Sequence, residues 1–308
     1  MRNYPKPKLV LSACFFEYVR YDGGTIVDPF VEKLKNYVDF ITVCPERDIG
    51  LGVPRQKIVV LKKGVEKRIF QPETGRDITP IMREFSDSFL LKLKDVDGFL
   101  LKERSPSCGV GTTKLFAGDK VIGKTYGFFA QAVKVKMPYI PLEDEGRLKD
   151  RKIRDHFLTR IYAFADLRQL VKNFSPKSFV EFHSSYKYLL MTYNQKALKE
   201  LGQIVVRAGK EQEKALLAYQ EGFYKAFHKI PPLSKHANTL FHIIGNISRK
   251  LNSMEKKHII SLIQKVKYGR ISHLLVIELL RNIAYRHKEE HILLQKYFDP
   301  FPEELYED

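Results

Sequence analysis

Along the first half of the chain, short apolar runs alternate with stretches whose apolar positions recur at helical spacing. KLVLSAC at Lys8–Cys14 is continuous enough for a strand buried on both faces. Pro29–Tyr37 reads as a helix that carries Phe30, Val31 and Leu34, with Val38 just beyond. Phe40–Cys44 is a second strand and Lys57–Leu61 a shorter third. Thr79–Leu93 is helical, and Asp97–Leu101 is a strand that runs into a Ser/Gly-rich loop. Lys124–Val135 reads as a helix, and Pro138–Pro141 as a last short strand. Strands separated by helices predict βαβ units with right-handed crossovers, hence a mostly parallel sheet in a three-layer α/β domain.

Beyond about Asp150 the strand pattern stops. Ile153, Phe157, Ile161, Phe164 and Leu167 lie along one helix face between Ile153 and Val171. Ser175-Pro176 offers an N-cap followed by proline at the first helical position. Leu240, Ile243, Ile244, Ile247 and Leu251 form another stripe; Asn252 and Glu255 have the spacing of a capping box. Tyr268-Gly269 reads as the stop of that helix, and Ser272–Tyr285 as a final helix. The expectation is an α/β domain over residues 1–170 and an all-α domain over 171–308, with no internal repeat or low-complexity segment.

The length, 308 residues, supports two domains with cores of their own. The longest apolar runs, FITVC and HLLVIELL, are too short to span a bilayer. The N-terminus passes directly from charge into a strand-like run, so no signal peptide and a soluble cytoplasmic protein are expected. Fifty-three basic against 36 acidic residues give a net charge of +17. The first 150 residues hold 26 basic and 20 acidic groups, so most of the excess lies in the helical half. Such a surface suits RNA or another anion, and equally suits plain solubility. The three cysteines are an odd number that cannot pair completely, and cysteines of this kind are either small buried hydrophobes or chemically employed.

All three sit at or just past the carboxyl end of an expected strand: Cys14 after KLVLSA, Cys44 after FITV, and Cys108 in the loop after DGFLL. That edge of an open parallel sheet is where sites are built. Glycine- and proline-rich loops adjoin them, RYDGG at 20–24, GLGVP at 50–54 and SPSCG at 105–109. Zinc ordinarily takes a fourth protein ligand, and no histidine lies near these loops. An iron–sulfur cluster ordinarily takes four cysteines; with three, one iron is left free to bind substrate as a Lewis acid.

KLVLSAC-x5-RYDGG, VCPE-x3-GLGVPR and KERSPSCG resemble, in order and spacing, the three loops of the thiouracil desulfidase family. The resemblance runs from about Lys8 to Glu145. It implies a Rossmann-like domain that holds a 4Fe-4S cluster through Cys14, Cys44 and Cys108 and removes sulfur from a thiolated pyrimidine or related thioamide. With one iron open, such a cluster is oxygen-sensitive and can be lost in aerobic handling. The family mechanism implies a carboxylate, matched by Asp48 with Glu46 as the local alternative, and a serine, matched by Ser105. Ser105 before a proline also suits a turn cap, and Asp48 a solvated loop charge. Ser12, Arg20, Tyr21, Asp22, Ser107 and Gly109 are the expected surroundings of cluster or substrate. GVGTTK at 109–114 lacks the spacing of a phosphate-binding P-loop.

Residues 182–205, 236–251, 267–280 and 293–302 resemble the YbgA-type helical domain, whose own activity the resemblance leaves open. Its polar candidates are His183, Lys187, Tyr188, His236, Asn238 and His242, for which a structural role is the plainer expectation. HKEEH at 287–291 matches a zinc-protease pattern, yet a solvated helix end fits its polar, near-terminal position better. The alternative to an enzyme is a basic nucleic-acid-binding protein or a regulatory iron–sulfur protein without turnover. The oligomeric state stays open.

Overall fold

A computed structural model describes residues 3–208 and 211–306 of the chain. They divide into two units: residues up to Ala165 together with the tail from Glu304, and Asp166–Glu303. The first is mixed α/β and the second helical. Among the described residues, no helix is long and apolar enough to cross a membrane.

The α/β unit is built on four parallel strands: β1 (Lys8–Ser12), β2 (Asp39–Val43), β6 (Gly98–Leu101) and β9 (Leu142–Asp144), in the order β2-β1-β6-β9. Leu9–Ser12 and Gly98–Leu101 are buried throughout, because both faces of the sheet are covered. Val10, Val43, Phe99 and Leu101 pack on one face against α2 (Thr79–Lys92) and α3 (Phe128–Lys136), through Leu90, Phe129 and Val133. On the other face runs α4 (Arg151–Lys172). It comes so close that a Cβ on Gly98 would lie 2.8 Å from Ile161. Between β1 and β2, α1 (Pro29–Leu34) starts where Asp28 accepts from the Val31 N–H at 3.0 Å, with proline at the first helical position.

A second, mixed sheet was not legible in the hydropathy beyond the strand expected at Lys57–Leu61, which belongs to this sheet and not to the parallel one. It orders β5 (Arg76–Asp77), β4 (Glu66–Gln71), β3 (Val59–Lys63), β7 (Thr113–Ala117) and β8 (Lys120–Thr125) as β5-β4-β3-β7-β8, with only β3 and β7 parallel. The expected helix at Lys124–Val135 therefore begins later, at Phe128, its first residues belonging to β8. β8 is exposed along nearly its whole length and carries lysines in place of a buried run, so the strand pattern was masked. Pro138–Pro141 is not a strand; the last strand is Leu142–Asp144, and Pro141 contributes only its carbonyl, which accepts from the Phe99 N–H.

The helical unit follows the capping signals closely. After α5 (Pro176–Ser185) come α6 (Lys187–Tyr193), α7 (Gln195–Arg207), α8 (Gln212–Ala226), α9 (Leu233–Ile247), α10 (Ser253–Lys267), α11 (His273–Arg286) and the short α12 (Glu290–Leu293). Ser175 caps α5 and Asn252 caps α10, each in a reciprocal box with the residue three positions on. Gly269 closes α10 in the left-handed conformation at φ +69°. Tyr186, Tyr219, Phe223 and Phe227 form the aromatic centre.

Candidate active site at the carboxyl edge of the parallel sheet

The chain steps from β1 outward to β2 on one side and later to β6 and β9 on the other. The strand order thus reverses between β1 and β6, and a crevice opens beyond their carboxyl ends. A cavity of about 550 Å³ occupies this place, and Cys14, Cys44 and Cys108 all line it. β3 and β7 of the second sheet wall it with Val59, Val60, Thr113 and Phe116. Among the described residues, no three His, Cys, Asp or Glu side chains come together as a site for a single metal ion.

Burial raises the Cys14 thiol to about 12, with the neighbouring Cys44 adding to the rise and Lys102 opposing it. Cys44 is raised chiefly by burial, against a hydrogen bond from the Arg47 backbone. Cys108 is pushed well up by burial; Ser12 opposes through a hydrogen bond, and Cys14, Glu46 and Cys44 reinforce it. Burial thus disfavours ionisation of all three thiols, and for Cys14 and Cys108 a neighbouring cysteine adds to it, a penalty that a cationic partner in their midst would reverse.

Glu46 joins the loops. Its Oε2 accepts from Arg55 Nε at 3.0 Å and Nη2 at 2.7 Å. Its Oε1 accepts from Ser107 Oγ at 3.0 Å and from Ser105 Oγ at 3.3 Å. Ser105 Oγ in turn accepts from the backbone N–H groups of Ser107 at 3.2 Å and Cys108 at 3.1 Å. Ser105 is therefore a turn cap and a hydroxyl aimed at a carboxylate at once. Glu46, Arg55, Ser105 and Lys102 all line the cavity.

Asp48 is placed differently. Its Oδ2 accepts from the Cys44 N–H at 3.3 Å and its Oδ1 from Arg47 Nε at 2.8 Å, while Arg47 also pairs with Glu17. It closes the turn after Cys44 and is not among the cavity-lining residues. Ser12, buried, takes the Lys102 N–H at 2.9 Å. Arg20 and Tyr21 line the cavity, with Lys57 and Arg20 near the Tyr21 ring at 5.4 and 5.8 Å. Asp22 pairs with Arg20 at 3.1 Å and lies outside the lining. A Cβ on Gly109 would fall 2.4 Å from Thr113 Oγ1, so glycine there lets the Cys108 loop fold back on β7.

Several residues that position this site carry no local signal of it in the sequence. Gly127 packs against the Cys108 loop so tightly that a Cβ would lie 2.4 Å from the Ser107 carbonyl carbon. The N–H groups of Phe128 and Phe129 then bond the Pro106 and Ser107 carbonyls, pinning the loop to the start of α3. Arg104 sits at φ +59°, a strained conformation for a non-glycine residue. Lys102 pairs with Glu145. Arg55, by contrast, ends the GLGVPR run; an arginine following a glycine- and proline-rich loop was the available signal.

In the helical unit, His183 Nδ1 meets the Tyr219 hydroxyl at 3.1 Å, and His236 Nδ1 meets the Tyr297 hydroxyl at 3.1 Å beside the His273 ring. Burial lowers both His183 and His236. Tyr188 bonds Asn246, Lys187 lies over the Tyr188 ring, and Asn238 and His242 are exposed. His287 ends α11 before Lys288 turns to φ +55°, so His287 and His291 do not share a helix.

Residues 9–145 match the family model described as 2-thiouracil desulfurase, and residues 187–302 match that of a protein of unknown function, DUF1722. A solved structure described as a 4Fe-4S-dependent thiouracil desulfidase, TudS, is 29% identical over 47% of this chain and 95% of that one, with a TM-score of 0.37. No curated protein matches. The reading as a basic nucleic-acid binder gains no support from these matches. The chain is thus similar over its site-bearing half to the 2-thiouracil desulfurases and over its helical half to the DUF1722 family.

Proposed function

We propose that the chain is a desulfidase that exchanges the sulfur of a thiolated pyrimidine, or of a related thioamide, for oxygen. One water is consumed and one hydrogen sulfide released per carbon–sulfur bond, with no net oxidation or reduction. The observation that carries this reading is the Glu46 carboxylate, which stands with Ser105 on the wall of the cavity that all three cysteines line and accepts from the Ser105 hydroxyl and from that of the buried Ser107.

The donor set fits a 4Fe-4S cluster held by Cys14, Cys44 and Cys108, the group that the loop resemblance implies. Three soft thiols, each hindered from ionising by burial and two of them also by a neighbouring cysteine, are suited to iron, and the sequence holds no fourth cysteine to close the cluster. Bound there, such a cluster supplies one iron free of protein ligands as a Lewis acid for the substrate's sulfur.

The protein's own groups handle the protons. Glu46 Oε1 takes the Ser105 hydroxyl proton, while two backbone N–H groups stabilise the negative charge that develops on Ser105 Oγ. Ser105 thereby relays a proton from the incoming water to Glu46, which returns it through the same hydroxyl to the departing sulfur. The long Ser105–Glu46 bond, 3.3 Å, is of the kind that tightens once substrate is present. Val43, Ile58, Val60 and Phe116 give the ring an apolar enclosure that limits water. The test is anaerobic protein mixed with 2-thiouracil: sulfide and uracil should appear in equal amounts. Cluster-loaded protein that released neither from 2-thiouracil nor from other thiolated pyrimidines would remove this reading.

A further inference from the structure

We infer that Arg55 is the positioning residue of this site, acting through Glu46 to hold the three cysteine loops in one arrangement; the inference rests on the desulfidase reading for its kinetic arm only. Its side chain is 4% exposed, and every hydrogen bond it makes goes to a loop that carries a cysteine or adjoins one. Nη1 donates to the Val19 carbonyl, in the loop after Cys14, at 2.9 Å, and to the Gly52 carbonyl at 3.2 Å. Nε and Nη2 converge on Glu46 Oε2, in the loop after Cys44. The other Glu46 oxygen is left for Ser105 and Ser107, in the loop of Cys108. The Arg55 N–H also donates to the Tyr21 carbonyl at 2.8 Å.

A buried ion pair is costly unless its remaining hydrogen-bonding capacity is met, and here both partners are met within the site. The planar fork does something a point charge cannot. By holding Oε2 from two nitrogens it fixes the carboxylate plane and so directs Oε1 at the two serines. Lysine in this place would keep the charge and lose that direction.

The experiment is a double-substitution cycle on the cluster-loaded full chain, with Arg55→Lys, Glu46→Gln and both together. Iron per chain is quantified in each, so that turnover is compared at equal loading. Arg55→Lys should lower kcat for sulfide release from 2-thiouracil at least about tenfold with KM within about threefold, the pattern of an interaction needed in the transition state. The double variant should be no slower than Glu46→Gln alone, because Arg55 acts through that carboxylate. Independently of turnover, hydrogen exchange at the Ser107 and Cys108 amides should quicken in both single variants and no further in the double one. If Arg55→Lys does not fold, Arg55→Gln takes its place. Losses that multiply in the double variant, kcat within twofold of the parent, or exchange rates that do not move would each overturn the assignment. If the parent chain releases no sulfide while the exchange cycle behaves as described, the desulfidase reading falls and Arg55's positioning of Glu46 stands.

Discussion

Glu46 and Asp48 stand two residues apart and face different partners. Glu46 reaches into the cavity between Arg55 and two serines, whereas Asp48 turns back onto the Cys44 backbone and Arg47. Glu46→Gln is therefore expected to lower desulfidation at least about a hundredfold, the usual worth of a proton-transfer group, and Asp48→Asn by less than about tenfold. Steady-state sulfide release from both variants decides between them. Ser105→Ala should keep its iron and its visible absorption but lose turnover, while Cys108→Ser should lose the absorption itself. A Ser105→Ala protein that turned over normally would remove the serine from the mechanism. The cysteines, Ser105 and both carboxylates were legible as candidates from the loop motifs. Which carboxylate faces the cavity was not, because two residues of a short helical turn separate opposite directions.

At the scale of elements, strands buried on both faces and helices with caps announced themselves. The apolar runs LVL at 9–11 and FLL at 99–101 are unbroken because helices cover both faces of their sheet. Asn252 and Glu255 meet as the sequence spacing implied, since a cap is a contact between near neighbours. The hairpin β7–β8 leaves no strand pattern in the sequence because its outer face meets water and its strands carry lysines. Gly127 shows the cost of reading elements singly: its need for no side chain comes from the Cys108 loop, some twenty residues earlier. Gly127→Ala should destabilise the α/β unit by about 1–3 kcal/mol, since rigid backbone blocks the added methyl group. A urea unfolding curve, with iron retention measured alongside, reads both effects; an unchanged midpoint would show that the loop yields freely.

At the scale of the molecule, the expected division near residue 170 can be set beside a structure in which α4 runs through the boundary between Ala165 and Asp166. Phe157, Leu158 and Ile161 of α4 are fully buried in the α/β unit. A fragment ending at Asp150 should therefore fail to give soluble protein where one ending at Lys172 succeeds, a comparison made by expressing both. The helical unit adds a pH dependence. Burial, with His273 nearby, lowers His236 to about 3, with Tyr297 as its hydrogen-bond partner. A histidine held neutral when folded binds its proton only on unfolding, so stability is full above the unfolded value near 6.5 and falls as pH drops toward 3. The expected slope is about 1.4 kcal/mol per pH unit for this one proton, and His183, also lowered by burial, adds in the same direction. Unfolding midpoints at pH 7 and pH 5 should separate, and His236→Asn should narrow the gap; equal narrowing by a surface histidine such as His242 would argue against this origin.

The residues alone determined that an α/β half precedes a helical one, because hydrophobic period and capping are properties of neighbouring positions. They also determined that three thiols lie near strand ends, since strand length is read locally. Only the folded chain decided which strands lie side by side, where their order reverses, and that Arg55 and Glu46 stand between the loops. Those are relations between distant segments, settled by sheet pairing and by the satisfaction of buried charges, and no local pattern encodes them.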